Sequence, residues 1–313
     1  MGDLLVHVAI TPEILMGVSD AARLLGQIEG HRCTLKSQLK TEHRVLNIHA
    51  SLALAGNTMS REEVGALLKG EMCGAEAADL AQARAYIHAY QRSNQFSVTS
   101  KKDLFTAYLL MNEGHPLTSP GDDASAASWN ARMKESLELM GVLLQYIQHS
   151  NLEHPIVNAA VFHYQMYQVR PFGESTDAVA RLWHRLLLGR FHQVLRHAPL
   201  ELQFKRNAQA YRSALRGENT HEGQQKFIEF SLGQVSECLK ILLDGLDVRS
   251  QGADERLLVA KLHFGDRKLT RKEYMMLFRT IGPATASRDL KAGLDAGLLR
   301  KKGEKARTEY YFV

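Results

Sequence analysis

Two strongly apolar stretches, separated by eight residues, constrain this chain more than any other feature. The first, H-P-I-V-N-A-A-V-F-H-Y-Q-M-Y-Q-V, covers residues 154–169, and the second, A-V-A-R-L-W-H-R-L-L-L, covers residues 178–188. Segments with so few charges predict helices that are buried on most sides. The joining segment R-P-F-G-E-S-T-D then lies at a helix N-terminus, where its backbone N–H groups can bind an anion.

Helical patterning extends over most of the 313 residues. Apolar residues recur at three- and four-residue steps between Pro12 and Glu29, and Thr11 followed by Pro12 is a good helix start. Further helices are predicted at about 34–54, 60–70, 75–93, 102–112, 130–149, 155–168, 177–197, 203–216 and 221–246. With only 23 glycines and 7 prolines, the chain is expected to fold as a mainly α protein.

A second module follows a helical domain predicted to cover residues 1–250. Asp247–Asp254 is the expected linker, and residues 254–313 read as helices at about 254–263 and 270–279, a turn at 281–283 and a third helix. Thr285 and Ser287 are cap candidates for that third helix, and Asp289 is expected near its positive end. Two short strands around Gly303 complete a predicted winged helix-turn-helix domain over residues 254–313.

The positive charge of the chain is concentrated in this module. Residues 266–313 carry 12 Lys or Arg and 6 Asp or Glu, a balance of +6. The whole chain has a formal net charge of +5, so the remainder is close to neutral. Such an excess is typical of a nucleic-acid partner. The DNA-binding candidates are Arg288 and Lys291 on the third helix, and Arg300, Lys301, Lys302, Lys305 and Arg307 on the wing. The alternative is a winged helix that serves packing or protein contacts.

Other features exclude several classes of protein. No apolar run is long enough to span a membrane and the first residues lack a signal-peptide pattern, so a cytoplasmic protein without a membrane partner is expected. Cys33, Cys73 and Cys238 are widely spaced, which predicts buried free thiols and neither a zinc site nor a redox centre.

The loop V-R-P-F-G-E-S-T-D-A-V-A-R, residues 169–181, resembles the Fic family motif H-P-F-x-[D/E]-G-N-G-R-x-x-R. Family members transfer AMP, or another phosphate-bearing group, to protein hydroxyls. The flanking A-x-x-H-Y-Q and R-L-W-x-x-L-L-L segments are similar too, as are I-T-P-E-I-L near the N-terminus and A-S-L-A-L-A-G-N-T-M-S-R-E-E-V at residues 50–64. T-A-S-R-D-L and the terminal Y-Y-F look like the winged helix that many Fic proteins carry. The resemblance implies a Fic-like helical domain along nearly the whole chain.

The differences from the family motif predict a degenerate site. Arg170 replaces the general-base histidine, and a guanidinium cannot accept a hydroxyl proton at neutral pH. Ser175, Thr176 and Asp177 replace the Gly-Asn-Gly that lets backbone amides approach phosphates. Asp177 or Thr176 is instead expected to cap the following helix, where the carboxylate repels a phosphate. Ala178 takes the place of the first arginine.

Four motif positions are kept. Pro171 and Phe172 preserve the shape of the loop, Glu174 occupies the acidic position that serves magnesium in the family, and Arg181 matches the second arginine. A lone glutamate without a bound phosphate is a weak magnesium ligand. No metal site and no cofactor are therefore expected.

Two supporting segments of the family also differ here. Ser51, Ala55, Gly56 and Asn57 match the inhibitory motif, whose glutamate pairs with the second arginine, but the glutamate position is Ala55. Arg181 is therefore expected to pair elsewhere, with Glu174 or Asp177 as candidates. Ala124 stands where members often have an arginine in the target-docking flap.

Two functions follow as hypotheses. The favoured one is a non-catalytic Fic-like binding or regulatory protein that contacts DNA through its winged helix and a protein partner or a second copy through its helical domain. The alternative is a protein adenylyltransferase, or a related transferase, that uses ATP and magnesium with altered chemistry. In that alternative Arg170 and Arg181 clamp phosphates and another group handles the proton. His163 is one candidate, although a histidine on an apolar helix is expected to be a core residue. A scaffold that binds neither nucleotide nor DNA is the third interpretation.

Overall fold

A computed structural model gives the architecture of most of the chain. It describes residues 8–30, 37–113, 126–149, 154–216, 219–249, 252–265, 267–278, 281–303 and 308–313. Contacts between Cα atoms divide the chain into two compact units, a large one of Met1–Gln27 with Leu35–Leu242 and a small one of Ile28–Thr34 with Leu243–Val313. The domain limits of 1–250 and 254–313 stay a prediction.

The fold is mainly α, as the sequence predicts. The first eleven helices are α1 (Pro12–Gly30), α2 (Ser37–Leu54), α3 (Arg61–Leu68), α4 (Ala77–Arg92), α5 (Lys101–Met111), α6 (Ala126–His149), α7 (Pro155–Val169), α8 (Thr176–Phe191), α9 (Leu200–Arg206), α10 (Ala208–Leu215) and α11 (His221–Arg249). Three short 3₁₀ turns lie at Ser93–Gln95, Gly173–Ser175 and Gln193–His197.

The two central helices, α7 and α8, form the core of the large unit. Every residue from Ile156 to Met166 of α7 is buried, and so are nearly all residues of α8. The indole of Trp183, itself fully buried, donates its Nε1–H to the backbone oxygen of Val98 at 3.0 Å. Burial on all sides follows from the low charge of both sequences, and it holds the loop between the two helices in place.

From Ala253 onward, the described residues of the small unit form three helices and a small sheet. They are α12 (Ala253–Phe264), β1 (Leu269–Thr270), α13 (Arg271–Leu277), α14 (Pro283–Asp295), β2 (Leu299–Lys302) and β3 (Glu309–Phe312). The sheet is antiparallel with order β1-β3-β2, which pairs Leu269 with Tyr310 and Leu299 with Phe312. Sequence analysis predicted β2 and β3 but not β1, because a two-residue strand has no periodicity.

Side-chain caps explain where several helices begin. Ser60 accepts a hydrogen bond from the backbone of Glu63 at the start of α3, and the Glu63 carboxylate accepts from the backbone of Ser60 in return. Thr270 and Glu273 form the same reciprocal pair at α13. In each pair two unpaired amides at the helix start gain acceptors.

Four boundary predictions were wrong. The helix predicted at 177–197 ends at Phe191 and continues as a 3₁₀ turn, and the helix predicted at 203–216 divides at Asn207, whose Nδ2 donates to the backbone oxygen of Gln203 at 3.1 Å. The expected linker at residues 247–254 overlaps α11, which extends to Arg249, and α12, which begins at Ala253.

The fourth error concerns the start of α14. Gly282 is its N-cap and Pro283 its first residue. Thr285 and Ser287 therefore lie inside the helix and do not cap it. Asp289 is two turns from the helix start, where it is buried and bonded to Arg256, so a dipole interaction is not its role.

Two of the three cysteines lie within the described residues. Cys238 is a buried free thiol as predicted, but Cys73 is half-buried and Cys33 lies outside the described residues. No described helix is long and apolar enough to cross a membrane. Within the described ranges no three His, Cys, Asp or Glu side chains are grouped closely enough to hold a metal ion.

Candidate functional site

The segment Val169–Arg181 begins at the end of α7, passes through the 3₁₀ turn Gly173–Ser175 and enters α8. Arg170 ends α7 in the left-handed conformation, with φ 47° and ψ 53°, and its N–H donates to the backbone oxygen of Met166 at 3.0 Å. Positive φ is uncommon outside glycine. Here it turns the chain sharply, so that the loop starts immediately after a buried helix.

Arg170 is the residue that aligns with the general-base histidine in the resemblance to the Fic motif. It is half exposed, lies over the ring of Tyr167 at 5.2 Å, and approaches the carboxylate of Asp177 with 3.7 Å between Nη2 and Oδ1. The positive charge is thus placed between an aromatic face and an anion, two arrangements that stabilise it.

Pro171 and Phe172 are both buried, as expected of residues that preserve the shape of the loop. The ring of Phe172 stacks on that of Tyr108 at 4.4 Å with 10° between the planes. Its backbone N–H donates to the hydroxyl of Thr176 at 3.0 Å. The first amide of the loop that an anion could use therefore already has an acceptor within the chain.

The prediction that Thr176 or Asp177 caps α8 was wrong. The N-cap is Ser175, which makes no side-chain cap bond, because its Oγ donates to Asn112 Oδ1 at 2.6 Å. Thr176 is the first helical residue and its hydroxyl turns back to the amide of Phe172. Asp177 contacts Arg170. The structure describes the backbone of Glu174 within the 3₁₀ turn, and its side chain is outside the described part.

Arg181 is buried and bonded to the segment that resembles the inhibitory motif. Its Nε donates to Ser51 Oγ and its Nη2 to the backbone oxygen of Ser51, both at 3.1 Å. Asp177, one expected partner, makes no described hydrogen bond to Arg181, and the side chain of Glu174, the other, lies outside the described part. Ser51 was not predicted as the partner of Arg181, because the resemblance to the inhibitory motif pointed to a carboxylate at this end of α2.

The rest of that segment has a structural role. Ala55 and Gly56 are exposed after the end of α2, and Gly56 has φ +92°, which favours glycine. Asn57 is buried, donates to the backbone oxygen of Asp79 at 3.0 Å and to Gln82 at 2.8 Å, and accepts from the N–H of Met59. Asn57 thus ties the turn after α2 to α4.

A polar cluster that sequence analysis did not find lies between α7, α8 and α10. His163 Nδ1 is 2.9 Å from His184 Nδ1, and His163 Nε2 is 2.9 Å from the hydroxyl of Tyr211. Both histidines are fully buried, which confirms His163 as a core residue. The sequence indicated this cluster only by placing one histidine on each of two consecutive apolar helices. It did not give the rotation of α7 relative to α8, on which the contact depends.

Burial controls the ionisation of this cluster. Desolvation lowers the pKa of His184 to about 3, and desolvation together with the neighbouring His184 and Arg181 holds the pKa of His163 well below its usual range. Both rings are neutral at physiological pH. With both nitrogens engaged and no exposed surface, His163 is poorly placed to take a proton from an outside hydroxyl.

The described DNA-binding candidates are all exposed. Arg288 and Lys291 lie on α14, and Arg300, Lys301 and Lys302 lie on β2. Lys305 and Arg307 lie outside the described residues, as does Ala124. The opposite face of α14 is buried in the core of the small unit. That face comprises Ala286, Asp289, Leu290 and Gly293.

Neither a protein-family sequence profile nor a curated protein sequence matches the chain. Solved structures do match it. A Fic family protein from Desulfovibrio desulfuricans superposes with a TM-score of 0.65 at 21% identity, over 97% of both chains. Fic-1 from C. elegans gives 0.57 at 15% identity, over 74% of this chain and 72% of that one.

A Fic domain containing signaling protein from Bacteroides thetaiotaomicron gives a TM-score of 0.52 at 16% identity, over 74% of this chain and 96% of its own. Identities this low establish a shared architecture and carry no activity with them. The helices that surround the α7–α8 loop nevertheless agree with the resemblance inferred from the loop itself. The chain therefore has the fold of Fic family proteins.

Proposed function

We propose that this chain is a Fic family protein that has lost group transfer by the histidine route and works as a binding or regulatory module. One observation carries the proposal. The base position holds the guanidinium of Arg170, 3.7 Å from the Asp177 carboxylate. A group that stays protonated at neutral pH cannot accept the proton of a target hydroxyl.

The surrounding loop supports the same conclusion. The amide of Phe172 is bonded to Thr176, the hydroxyl of Ser175 to Asn112, and the guanidinium of Arg181 to Ser51. A nucleotide would have to displace these contacts and approach the carboxylate of Asp177. These contacts support the proposal that the loop uses neither ATP nor magnesium.

The transferase alternative depends on another proton acceptor. His163 is fully buried, 2.9 Å from both His184 and Tyr211, so it gives that alternative no support. A proton acceptor supplied by the target would leave Arg170 and Arg181 as the phosphate clamp. A labelling experiment separates the two functions.

The chain should be incubated with labelled nucleoside triphosphates, magnesium and cell lysate. We expect no label transfer from the natural chain and none from Arg170→His alone, because the loop amides remain occupied. A variant with five substitutions restores the family motif and should gain label transfer. It combines Arg170→His, Ser175→Gly, Thr176→Asn, Asp177→Gly and Ala178→Arg, and circular dichroism checks its fold. Label transfer by the natural chain that Arg170→Ala abolishes would overturn the proposal.

We further propose that the small unit is a winged helix that binds DNA. Arg288 and Lys291 are three residues apart on α14, so they lie on one face of a helix whose opposite face is buried. Three consecutive cations, Arg300 to Lys302, are all exposed on β2. This arrangement suits a helix in the major groove and a strand pair against phosphates.

Mobility shifts at several salt concentrations test this proposal. Phosphate contacts make affinity fall steeply with salt, and removal of one contacting lysine should lower the slope of log K against log salt by about 1. Lys301→Ala and Lys302→Ala should therefore weaken binding to all duplexes. Arg212→Ala, at an exposed position of α10, should have no effect. If no duplex shifts even at low salt, the module serves packing or protein contacts.

A further inference from the structure

A small pocket far along α8 from the loop is lined by an excess of positive charge. It lies between α2, α4, α8 and the 3₁₀ turn Gln193–His197, and has a cavity volume of about 30 Å³. Lys40, Arg44, Arg185, Arg196 and His197 line it. The other lining side chains are neutral, so the pocket wall contains four fixed cations and no carboxylate.

One carboxylate lies behind the wall and is already shared. Glu201 is fully buried, accepts from Arg185 Nε at 3.1 Å and accepts from the hydroxyl of Tyr90 at 2.8 Å. It neutralises Arg185 only. Within the described part of the chain, Lys40, Arg44 and Arg196 have no carboxylate oxygen within 4 Å.

Arg196 shows the unmet demand most directly. Its Nη1 donates a long bond of 3.5 Å to Asn94 Oδ1, and its Nε is buried with no hydrogen-bond partner among the described atoms. A buried donor without an acceptor destabilises the folded chain. An acceptor entering the pocket would remove this destabilisation.

Burial and the neighbouring cations both affect the ionisation of His197. Its pKa falls to about 4, first because of burial and then because of Lys40, Arg185, Arg196 and Arg44. A neutral imidazole can still donate or accept a hydrogen bond. The pocket is therefore positive through its four fixed cations, without any contribution from His197.

We propose that this pocket binds a phosphate group, either as free inorganic phosphate or as the terminal phosphate of a small metabolite. A dianion would neutralise part of the four clustered cations, accept charge-assisted hydrogen bonds from the guanidiniums, and give Arg196 Nε an acceptor. The cavity volume of about 30 Å³ exceeds the roughly 10–15 Å³ that one water needs, so the pocket has room for more than a single water.

The pocket is one helical turn from the contact between Arg181 and Ser51. Asn47 precedes Ser51 by four residues on α2, and Arg185 follows Arg181 by four on α8, so each pair shares a helix face. A bound phosphate would thus join α2 to α8 beside that contact and stabilise the large unit. This inference does not depend on the proposed function.

Thermal unfolding and calorimetry at constant ionic strength test the proposal, with inorganic phosphate, pyrophosphate and AMP as probes and chloride as the reference salt. We expect a saturable response to at least one probe and a rise in Tm of about 5 °C or more at 100 times its Kd. Binding of inorganic phosphate identifies the free ion as sufficient. Binding restricted to AMP or pyrophosphate identifies a terminal phosphate.

Arg44→Gln and Arg196→Gln should each weaken binding at least tenfold. Without phosphate these variants should unfold at the same or a higher temperature, because charge repulsion is relieved. Arg84→Gln, exposed on α4, and Arg170→Ala in the loop should keep the full response. A response equal in the natural chain and in Arg44→Gln, one that never saturates, or one lost only in Arg170→Ala would overturn the proposal.

Discussion

Arg181 donates from Nε to the hydroxyl of Ser51 and from Nη2 to the carbonyl of the same residue, both at 3.1 Å, although 130 residues separate them. Arg181 of α8 is thus held by two neutral acceptors on α2. Because Arg181 is only 2% exposed, these bonds also meet the demands of a buried charge.

Ser51→Ala should therefore destabilise the large unit. Loss of a hydrogen bond to a buried charged group costs about 1.5–3 kcal/mol, and the Ser51 carbonyl remains as a second acceptor, so we expect about 2 kcal/mol. Denaturant unfolding gives the value. Ser213→Ala, on the exposed face of α10, is the matched control and should change the free energy of unfolding by less than about 0.5 kcal/mol.

Thr176→Val tests the hydrogen bond between the amide of Phe172 and the hydroxyl of Thr176. Valine keeps the shape of threonine but removes the acceptor that the amide of Phe172 uses at 3.0 Å. Thr176 is fully buried, so we expect a loss of about 1–3 kcal/mol in the free energy of unfolding. Amide hydrogen exchange should be faster at Phe172 and unchanged in α5. Unchanged exchange at Phe172 would contradict the assigned bond.

The sequence was sufficient to predict most helices and the loop between α7 and α8, because low charge and period 3.6 are local signals. Pro171 and Phe172 were predicted only to preserve the shape of the loop, and both are buried. Contacts that depend on helix rotation were not predictable in this way. His163 and His184 are on consecutive helices, but their 2.9 Å approach depends on how α7 packs against α8.

The errors at helix starts have a common cause. Thr176, Thr285 and Ser287 are good capping residues by type, and each lies inside a helix instead. Pro283 begins α14 two residues earlier than expected, since its fixed φ suits the first helical position. At α8 the hydroxyl of Thr176 serves the preceding loop, a tertiary demand that local propensity does not contain.

The buried histidine pair predicts acid sensitivity. The folded-state pKa of His184 is about 3, while the unfolded value is about 6.5. Below pH 6.5 the unfolded chain binds more protons, so the stability present above that pH is lost as the pH falls toward 3. We expect His184 alone to make the free energy of unfolding about 1.4 kcal/mol lower at pH 5.5 than at pH 7.5, and His163 to lower it further in the same direction.

The comparison variant is His184→Gln, which removes one titrating group and should flatten the dependence on pH between 7.5 and 5.5. His221→Gln, exposed at the start of α11, should leave the dependence as it is. Equal pH profiles for the natural chain and His184→Gln would show that groups other than His184 cause the acid sensitivity.

The ion pair between Arg256 and Asp289 predicts how the small unit is held together. The Asp289 carboxylate accepts from Arg256 Nε at 2.5 Å and Nη2 at 2.7 Å, and only 4% of its side chain is exposed. Removal of one partner leaves a poorly hydrated charge, which costs about 3 kcal/mol. Asp289→Asn should thus destabilise residues 253–313, measured by hydrogen exchange of α14.

Asp295→Asn, exposed on the same helix, is the control and should change exchange in α14 little. If the pair provides specificity more than net stability, the double variant Arg256→Met with Asp289→Leu should recover most of the loss, because two apolar side chains leave no unpaired charge. An effect of Asp289→Asn no larger than that of Asp295→Asn would contradict the prediction. Asp289 lies on the face of α14 opposite Arg288 and Lys291. If Asp289→Asn loses DNA affinity and the double variant regains it, DNA binding requires a folded α14 and does not require the carboxylate itself.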